Sequence, residues 1–209
     1  MTQTRIKNIV FDIGNVVVRW DPDLIAARTF DGSGHGSDIK DAIFGDDLWL
    51  SWNRGERTEA EMKHAFAETL GLEAELLDRL FFHIKDSQDL NEDTVRLMRT
   101  LKASGFRLFA LTDNVHEIVH YLKERYAFWD LFEHATVSAE VGVLKPSAEI
   151  FHHVLNTNGL HANETVFFDD VAKNVAGAKA VGIHSFVFTS VANALADLER
   201  LGVDVSLDH

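Results

Sequence analysis

The hydrophobic residues follow two different patterns along the chain. A short apolar run at residues 6–10 predicts a buried β-strand. From residue 21 to residue 87 the apolar positions recur at helical spacing, and this region opens with Asp21 and Pro22, a pair that is typical of a helix start. The small-residue stretch DGSGHGSD at residues 31–38 predicts a loop inside the region. We therefore expect one strand followed by an all-helical segment.

From residue 88 onward the pattern alternates between helices and strands. Amphipathic helical segments separate the apolar runs FRLFALT (106–112), ATVS (135–138), TVFF (165–168) and HSFVF (184–188). Such alternation is typical of a parallel sheet with helices on both faces. We predict an α/β fold in which residues 1–20 and 88–209 form a Rossmann-like core, and residues 21–87 form a small helical cap inserted after the first strand.

Polar residues stand at the carboxyl ends of the predicted strands. They are Asp12 after the first strand, Thr112, Asp113 and Asn114 after the second, Lys145 in VGVLKP after the third, and Asp169 and Asp170 after the fourth. In an open parallel sheet, ligands bind where these strand ends meet. An ionised carboxylate at the end of a buried strand costs several kcal/mol unless it has a partner. We therefore expect these residues to converge on one crevice.

The chemistry of these residues is mutually compatible. The carboxylates of Asp12, Asp169 and Asp170 are hard oxygen ligands that suit Mg²⁺. Thr112 and the backbone N–H groups after it can hold an anion, and Lys145 can offset the anion's charge. A metal, an anion site and a carboxylate nucleophile together indicate phosphoryl transfer through an aspartyl-phosphate intermediate.

The motifs FDIGNVVV, LTDN, VGVLKP and FFDD, in this order, resemble the haloacid dehalogenase-like hydrolase superfamily over essentially the whole chain. The resemblance is closest to phosphatases of the alpha-D-glucose-1-phosphate phosphatase kind, which share the Asp-x-Gly-Asn opening and the Phe-Asp-Asp ending. It implies Mg²⁺-dependent hydrolysis of a small phosphomonoester, and we favour a sugar phosphate. It also implies that the cap closes over the substrate and excludes bulk water.

The resemblance implies a role for each site residue. Asp12 would be the nucleophile, and its carboxylate, the backbone carbonyl of Gly14 and Asp170 would hold Mg²⁺, with Asp169 close by or bridged through water. The side chain of Asp113 or Asn114 would equally fit a helix cap. The implied phosphate-binding residues are Thr112, Asp113, Asn114 and Lys145, and Asp113 would act through its backbone amide. The resemblance also implies that Lys145 is catalytic.

One position departs from the family pattern. Most phosphatases of this superfamily carry a second Asp two residues after the nucleophile as general acid and base, and this chain has Gly14 there. Loss of a general acid typically lowers a rate by ~10²–10⁴-fold. The leaving group then needs little help, as with a sugar anomeric hydroxyl or an acyl phosphate, or the activity is low, or another residue substitutes. Asp21 and a histidine of the cap are candidate substitutes.

Two other functions fit parts of the sequence. A 2-haloacid dehalogenase uses the same Asp nucleophile without a metal and lacks the second Asp, but the acidic pair Asp169 and Asp170 would hinder a carboxylate substrate. A non-catalytic binding protein of the same fold is the alternative from a different class. The presence of Asp12 and Lys145 argues against it, because a binding site has no evident need for a nucleophile.

Several further residues allow two interpretations. HEIVH at residues 116–120 matches the zinc motif H-E-x-x-H, but its histidines lie beside the apolar helix face, which favours solvated histidines. His116, nearest the strand end, is a candidate for substrate contact. Trp49 and Trp52 fit core packing better than a sugar platform, and Arg54 fits either a substrate anion or surface charge.

Composition narrows the partners. The 209 residues carry a net charge of −13, which disfavours nucleic acid and anionic membranes and makes small molecules or metal cations better partners. The family resemblance implies that the small-molecule partner is a phosphorylated substrate. The chain has no cysteine, which excludes disulfides and thiolate metal sites. It has no leader-like segment and no long apolar run, so we expect a cytoplasmic protein without a membrane span. The sequence carries no signal for an oligomeric state.

Overall fold

A parallel five-stranded sheet lies at the centre of the computed structural model, which describes residues 5–31 and 38–205. The strands are β1 (Asn8–Phe11), β2 (Arg107–Thr112), β3 (His134–Val137), β4 (Thr165–Asp169) and β5 (His184–Val187). Their order is β3-β2-β1-β4-β5, and all neighbours are parallel. The predicted α/β class is confirmed. Residues 32–37 of the predicted loop lie outside the described residues.

Helices connect the strands and cover the sheet. Between β1 and β2 lie α1 (Pro22–Phe30), α2 (Asp38–Phe44), α3 (Asp47–Asn53), α4 (Glu59–Leu70), α5 (Ala74–Asp86) and α6 (Glu92–Ala103). The later helices are α7 (His116–Arg125), α8 (Ser138–Val141), α9 (Ala148–Asn158), α10 (Ala172–Ala180) and α11 (Val191–Arg200), with 3₁₀ turns at Ala127–Leu131 and Ala162–Glu164. No helix in the described ranges has the length and apolar character needed to cross a lipid bilayer. We call α1–α5 the helical insertion.

Both faces of the sheet are buried. Alternate residues of β1 point to opposite faces, so Ile9 and Phe11 belong to one apolar cluster and Val10 to the other. The smaller cluster packs α9 and the end of α10 onto the sheet, and includes Phe151 and Phe167. The larger cluster contains residues of α6, α7, α11 and the helical insertion. Burial on both faces explains why the strands are continuous apolar runs.

The first strand lies slightly later in the chain than the sequence predicts. Regular pairing covers Asn8–Phe11, whereas the apolar run predicts residues 6–10. Lys7 already forms backbone hydrogen bonds on both sides: its N–H donates to Glu164 O at 2.9 Å, directly before β4, and its carbonyl accepts from Arg107 N of β2 at 3.0 Å. At its other end, the strand continues through Phe11 and stops directly before Asp12.

The predicted start of the helical region is confirmed. Asp21 caps α1, because its Oδ1 accepts a hydrogen bond from Leu24 N at 2.8 Å, and Pro22 occupies the first helical position. An N-cap of this kind contributes about 1 kcal/mol to helix stability. The chain thus leaves β1, turns at residues 12–20 and enters the helical insertion immediately.

Candidate active site

The strand ends meet around one cavity of about 510 Å³. It lies where the strand order reverses, between β1 and its two neighbours, which is the usual ligand site of such sheets. The sequence-predicted residues that line it are Asp12, Gly14, Thr112, Asp113, Asn114, Lys145 and Asp170. Asp169 is fully buried behind the cavity and contacts Lys145. The predicted convergence is therefore observed.

Lys145 contacts two of the acids of the site. Its Nζ lies 2.9 Å from Asp12 Oδ1 and 2.7 Å from Asp169 Oδ2, and it donates to Leu111 O at 3.3 Å. Burial alone would lower the pKa of this ammonium, but the nearby carboxylates of Asp12, Asp169 and Asp113 outweigh burial and raise it. Lys145 is therefore a fixed positive charge beneath the cavity.

Asp12 lies at the end of β1 in a buried position. Its N–H donates to Phe168 O at 2.9 Å, and its Oδ1 accepts from Ile13 N at 2.7 Å. Burial raises the pKa of Asp12 to about 8, and the charge of Asp169 adds to this effect while Lys145 opposes it. One ammonium is thus insufficient to compensate the buried carboxylates, and a bound cation would favour the ionised form.

The two adjacent acids after β4 have different surroundings. Asp169 has both oxygens engaged: Oδ1 accepts from Val171 N at 2.8 Å, Oδ2 accepts from Lys145, and Asn174 Nδ2 lies 3.1 Å from each. Asp170 is half-buried and lines the cavity. Burial raises the pKa of Asp170, although a hydrogen bond from Asn15 opposes the shift. Asp170 is therefore the acid of this pair that is available to a ligand.

The donor set fits a hard divalent cation. Asp12, Asp169 and Asp170 each place one carboxylate oxygen within 4.8 Å of the others. Oxygen donors of this charge suit Mg²⁺ rather than a soft metal. The raised pKa values of Asp12 and Asp170 have the same physical origin, which is negative charge in a buried site without enough positive charge.

The loop after β2 is anchored at three points. Thr112 ends the strand in a buried position, and Asp113 Oδ1 accepts from the backbone N of Lys145 at 3.0 Å. Asn114 N donates to Ser138 Oγ at 2.9 Å, and Asn114 Oδ1 accepts from Val115 N at 2.9 Å. The Asn114 backbone amide is thus engaged inside the protein. The side chain of Asp113 joins this loop to the loop that carries Lys145.

Two asparagines that position the acids are absent from the sequence-based prediction. Asn15 adopts a left-handed conformation with φ of 54°, donates to Asp170 Oδ2 at 3.1 Å and accepts from Trp20 N at 2.9 Å. Asn tolerates this conformation better than most residues, so its place after Gly14 is an available signal. Asn174, in the first turn of α10, holds both oxygens of Asp169. In the sequence, the one available signal for this role of Asn174 is its spacing of five residues from Asp169.

Apolar side chains form part of the cavity lining. Four of them are Trp20, Phe44, Trp49 and Leu50, and we call these four the aromatic wall. Trp52 lies behind the wall, 1% exposed, with its ring 5.3 Å from that of Trp49. Trp52 is therefore a core residue, in agreement with the packing interpretation, whereas Trp49 is half-buried and faces the cavity.

Other candidate residues are not part of the cavity lining that the described residues form. Asp21 caps α1 and pairs with Arg19, so it is not positioned as a substitute general acid. Arg54 pairs with Glu56 at 2.6 Å, which agrees with its interpretation as a surface charge. His116 is exposed outside the lining.

The H-E-x-x-H motif has a structural explanation. Its second histidine, His120, is exposed and lies 3.3 Å from Glu124. Its glutamate, Glu117, accepts a hydrogen bond from Glu59 N at 2.9 Å, at the first turn of α4. The motif therefore connects α7 to the helical insertion, and the described residues give it no third metal ligand.

The chain matches the haloacid dehalogenase-like hydrolase family over residues 6–182. It is 27% identical over 198 residues to the sesquiterpene phosphatase astK of Aspergillus oryzae, covering 95% of this chain and 97% of that protein. It is 33% identical over 91 residues to the glyceraldehyde 3-phosphate phosphatase of Methanocaldococcus jannaschii, covering 43% of this chain and 40% of that protein. It spans about a third or less of several longer curated relatives.

A solved structure has the same fold. The HAD family enzyme bt-2542 of Bacteroides thetaiotaomicron, in complex with magnesium and inorganic phosphate, superposes with a TM-score of 0.77 at 23% identity. The superposition covers 89% of this chain and 96% of that one. At this identity the likeness shows the fold alone.

Proposed function

We propose that this chain, which belongs to the haloacid dehalogenase-like hydrolase family, hydrolyses a small phosphomonoester with Mg²⁺ through a phosphorylated Asp12. The chain is a hydrolase of the phosphatase kind. The observation that carries the proposal is the contact of Asp12 with the buried ammonium of Lys145, at 2.9 Å, beside Asp170 in one cavity. A carboxylate, a fixed cation and a second acid in this arrangement suit phosphoryl transfer.

We assign the attack on phosphorus to a carboxylate oxygen of Asp12, whose Oδ1 is held by Ile13 N and Lys145 Nζ. The bond from the attacking oxygen to phosphorus forms as the bond from phosphorus to the leaving oxygen breaks, and the alkoxide or phenolate leaves and takes a proton from water. Water then attacks phosphorus and gives up a proton to the solvent, the bond between Asp12 and phosphorus breaks, and inorganic phosphate is released. Thr112, the Asp113 N–H and Lys145 would stabilise the phosphoryl oxygens.

The metal set follows from the same contacts. Asp12, the carbonyl of Gly14 and Asp170 would hold Mg²⁺. Asp169 is also a candidate ligand from the sequence, and we assign it instead to positioning Lys145, because both of its oxygens are already engaged. When bound, Mg²⁺ offsets the carboxylate charge and polarises the phosphoryl group.

We propose that the helical insertion acts as the cap, with its limits at residues 21–87 as the sequence predicts. It contributes Phe44, Trp49 and Leu50 to the cavity lining. A cover of this kind excludes water from the phosphorylated intermediate. The cytoplasmic location also stays a prediction of the sequence.

Two classes of leaving group are candidates. A sugar phosphate, including the alpha-D-glucose-1-phosphate type, follows from the family resemblance and from Gly14, because an anomeric hydroxyl leaves readily. An ester of an apolar alcohol follows from the aromatic wall. A 2-haloacid substrate is disfavoured, because its carboxylate would meet the acidic cluster of Asp12, Asp169 and Asp170.

The proposal is tested by phosphate release from p-nitrophenyl phosphate, with Mg²⁺ and after chelation by EDTA. We expect Asp12→Asn to lower kcat roughly 10³-fold or more, because the nucleophile is lost, and EDTA to abolish turnover. Asp93→Asn, an exposed acid on α6, is the matched control and should behave as wild type. Metal-independent halide release from a 2-haloacid, or phosphate release that survives Asp12→Asn, would contradict the proposal.

A further inference from the structure

We infer that the substrate is a phosphomonoester with an apolar leaving group that carries no anionic group. This inference rests on the proposed phosphatase function. It concerns the apolar part of the cavity lining. The shape, polarity and charge of that part each support it.

The aromatic wall is preformed. The ring centroids of Trp20 and Trp49 lie 5.7 Å apart with an interplanar angle of 24°, so the rings stack. The ring of Phe44 meets that of Trp49 edge-on, with centroids 5.0 Å apart. Trp52, in the core, supports Trp49 from behind at 5.3 Å. Interlocked rings have little rotational freedom, so a ligand can contact them at a low entropic cost. The wall is therefore a rigid apolar surface beside the phosphate site.

The wall exposes apolar area that the protein itself does not cover. Leu50 is 40% exposed, and it continues the surface formed by the half-buried Trp20, Phe44 and Trp49. A single exposed leucine is ordinary, but a contiguous apolar patch inside a cavity is typical of a ligand site. An apolar group of the substrate would cover this area.

The polar groups near the wall are poorly suited to a polyhydroxylated ligand. Asn53 and Gln88 line the cavity, but the Asn53 amide donates to Trp49 O at 2.8 Å and the Gln88 amide donates to Ile84 O at 2.8 Å. These bonds use one of the two N–H donors of each amide and fix both side chains on helix carbonyls. A sugar ring needs several donors and acceptors at once, because each unpaired buried hydroxyl is costly.

The charges of the lining disfavour an anion beside the aromatic wall. The lysines of the lining within the described residues are Lys145 and Lys173. Lys145 is engaged by Asp12, Asp169 and a backbone carbonyl, and Lys173 is exposed at the rim. The aromatic wall contributes no cation to the lining. A second phosphate or a carboxylate carried by the leaving group would therefore have no cationic partner at the wall.

Because Gly14 provides no general acid, we expect the rate to depend on the leaving group. A leaving group that departs without being protonated does not need this acid, and a phenolate is a far better leaving group of this kind than an alkoxide. We therefore expect aryl esters to turn over faster than alkyl esters of similar size. Within the aryl esters and within the alkyl esters, we expect kcat/KM to rise with the apolar area of the leaving group, independently of the leaving group's basicity.

The experiment compares esters paired by leaving-group basicity. Phenyl phosphate is paired with 2-naphthyl phosphate, and glucose 6-phosphate with n-hexyl phosphate. We expect kcat/KM to rise about tenfold from phenyl to 2-naphthyl phosphate, from the added apolar contact, and hexyl phosphate to exceed glucose 6-phosphate by a similar factor.

The wall is tested by variants. Trp49→Ala should lower kcat/KM for both aryl esters, but more for 2-naphthyl than for phenyl phosphate, so that the naphthyl advantage falls to roughly twofold or less, because the larger ring loses more apolar contact. Leu50→Ala, at a 40% exposed position, should remove part of the advantage and is a second test if Trp49→Ala fails to fold. Phe82→Ala is the control, since Phe82 is 55% exposed on α5 and does not line the cavity.

The outcomes separate the two proposals. Hydrolysis of phenyl phosphate that depends on Asp12, together with equal kcat/KM for phenyl and naphthyl esters or a preference for glucose 6-phosphate, overturns the inference alone. An unchanged naphthyl advantage in both wall variants also overturns it. No hydrolysis of any ester overturns the proposed phosphatase function itself.

Discussion

At the scale of single residues, the adjacent acids Asp169 and Asp170 have different expected roles. We predict that Asp170→Asn lowers Mg²⁺ affinity about tenfold or more, because it removes a ligand charge. Asp169→Asn should lower kcat while Mg²⁺ affinity changes much less, because Asp169 acts by holding Lys145 Nζ at 2.7 Å. The measurement is the Mg²⁺ concentration for half-maximal activity, with calorimetric titration of Mg²⁺ as a second readout. Equal losses of affinity in both variants would make Asp169 a direct ligand.

Most of the site residues that the sequence predicts lie at or directly after a strand end, whereas Lys145 lies beyond α8, the helix that follows β3. Asp12, Thr112 and Asp169 are placed by the ends of apolar runs, so their convergence follows from sheet topology. Asn15 and Asn174 act through hydrogen bonds to other side chains, and asparagine at such positions is also common as an ordinary turn or cap residue. Their roles depend on rotamers and on contacts across the chain, which local patterns do not encode.

At the scale of elements, the helical insertion meets the core where α3 ends against α8. Ser138 Oγ donates to Asn53 O at 2.6 Å and accepts from Asn114 N, so one hydroxyl joins the insertion to the loop after β2. Gly55 follows with φ of 72°, and a Cβ there would lie 2.2 Å from Ala139 O. Neither of the two backbone segments can move away easily, so only glycine, which has no Cβ, allows this close approach.

A matched pair of glycine variants measures this contact. Gly71 also has a left-handed φ, of 64°, but a Cβ there meets nothing within 4 Å. We expect Gly71→Ala to lower the free energy of unfolding by about 1 kcal/mol, from backbone strain alone. Gly55→Ala should cost roughly 1–3 kcal/mol more and raise KM, because α3 carries Trp49. Urea unfolding and steady-state kinetics test this, and equal losses in the two variants would show that the contact with Ala139 is unimportant.

The elements themselves are largely predictable, but their arrangement in the helical insertion is not. The apolar spacing identifies strands and helices from residue 88 onward, because each has a single periodic face. In the insertion, Phe44 of α2 and Trp49 of α3 contact each other and the ring of Trp20, which lies before α1 in the chain. The sequence shows two possible roles for Trp49, and only the fold decides which side of it faces the cavity.

At the scale of the whole molecule, we expect the buried carboxylates to couple metal binding to pH. The pKa of Asp12 is raised from its ordinary value of 3.8 to about 8, and that of Asp170 is raised as well. A carboxyl whose pKa is higher in the folded than in the unfolded state binds its proton more tightly when folded. The metal-free protein therefore loses this contribution to stability as pH rises from about 4 to about 8.

Mg²⁺ should reverse that loss, because it binds the ionised carboxylates and displaces the proton. Below the pKa of Asp12, Mg²⁺ affinity should rise up to roughly tenfold per pH unit for one proton released. At a fixed Mg²⁺ concentration we therefore expect the increase in Tm to be small at pH 5.5 and to grow steadily toward pH 8.

Subtracting the metal-free Tm at each pH removes the titration of histidines and surface acids, which is common to both samples. Asp12→Asn has no proton to release at this position, so its Mg²⁺-induced Tm increase should be smaller and depend much less on pH. A wild-type increase that stays constant between pH 5.5 and 8 would mean that Asp12 is already ionised without the metal. Lys145 alone would then suffice to compensate its charge, and burial of Asp12 would no longer require a metal ion beside it.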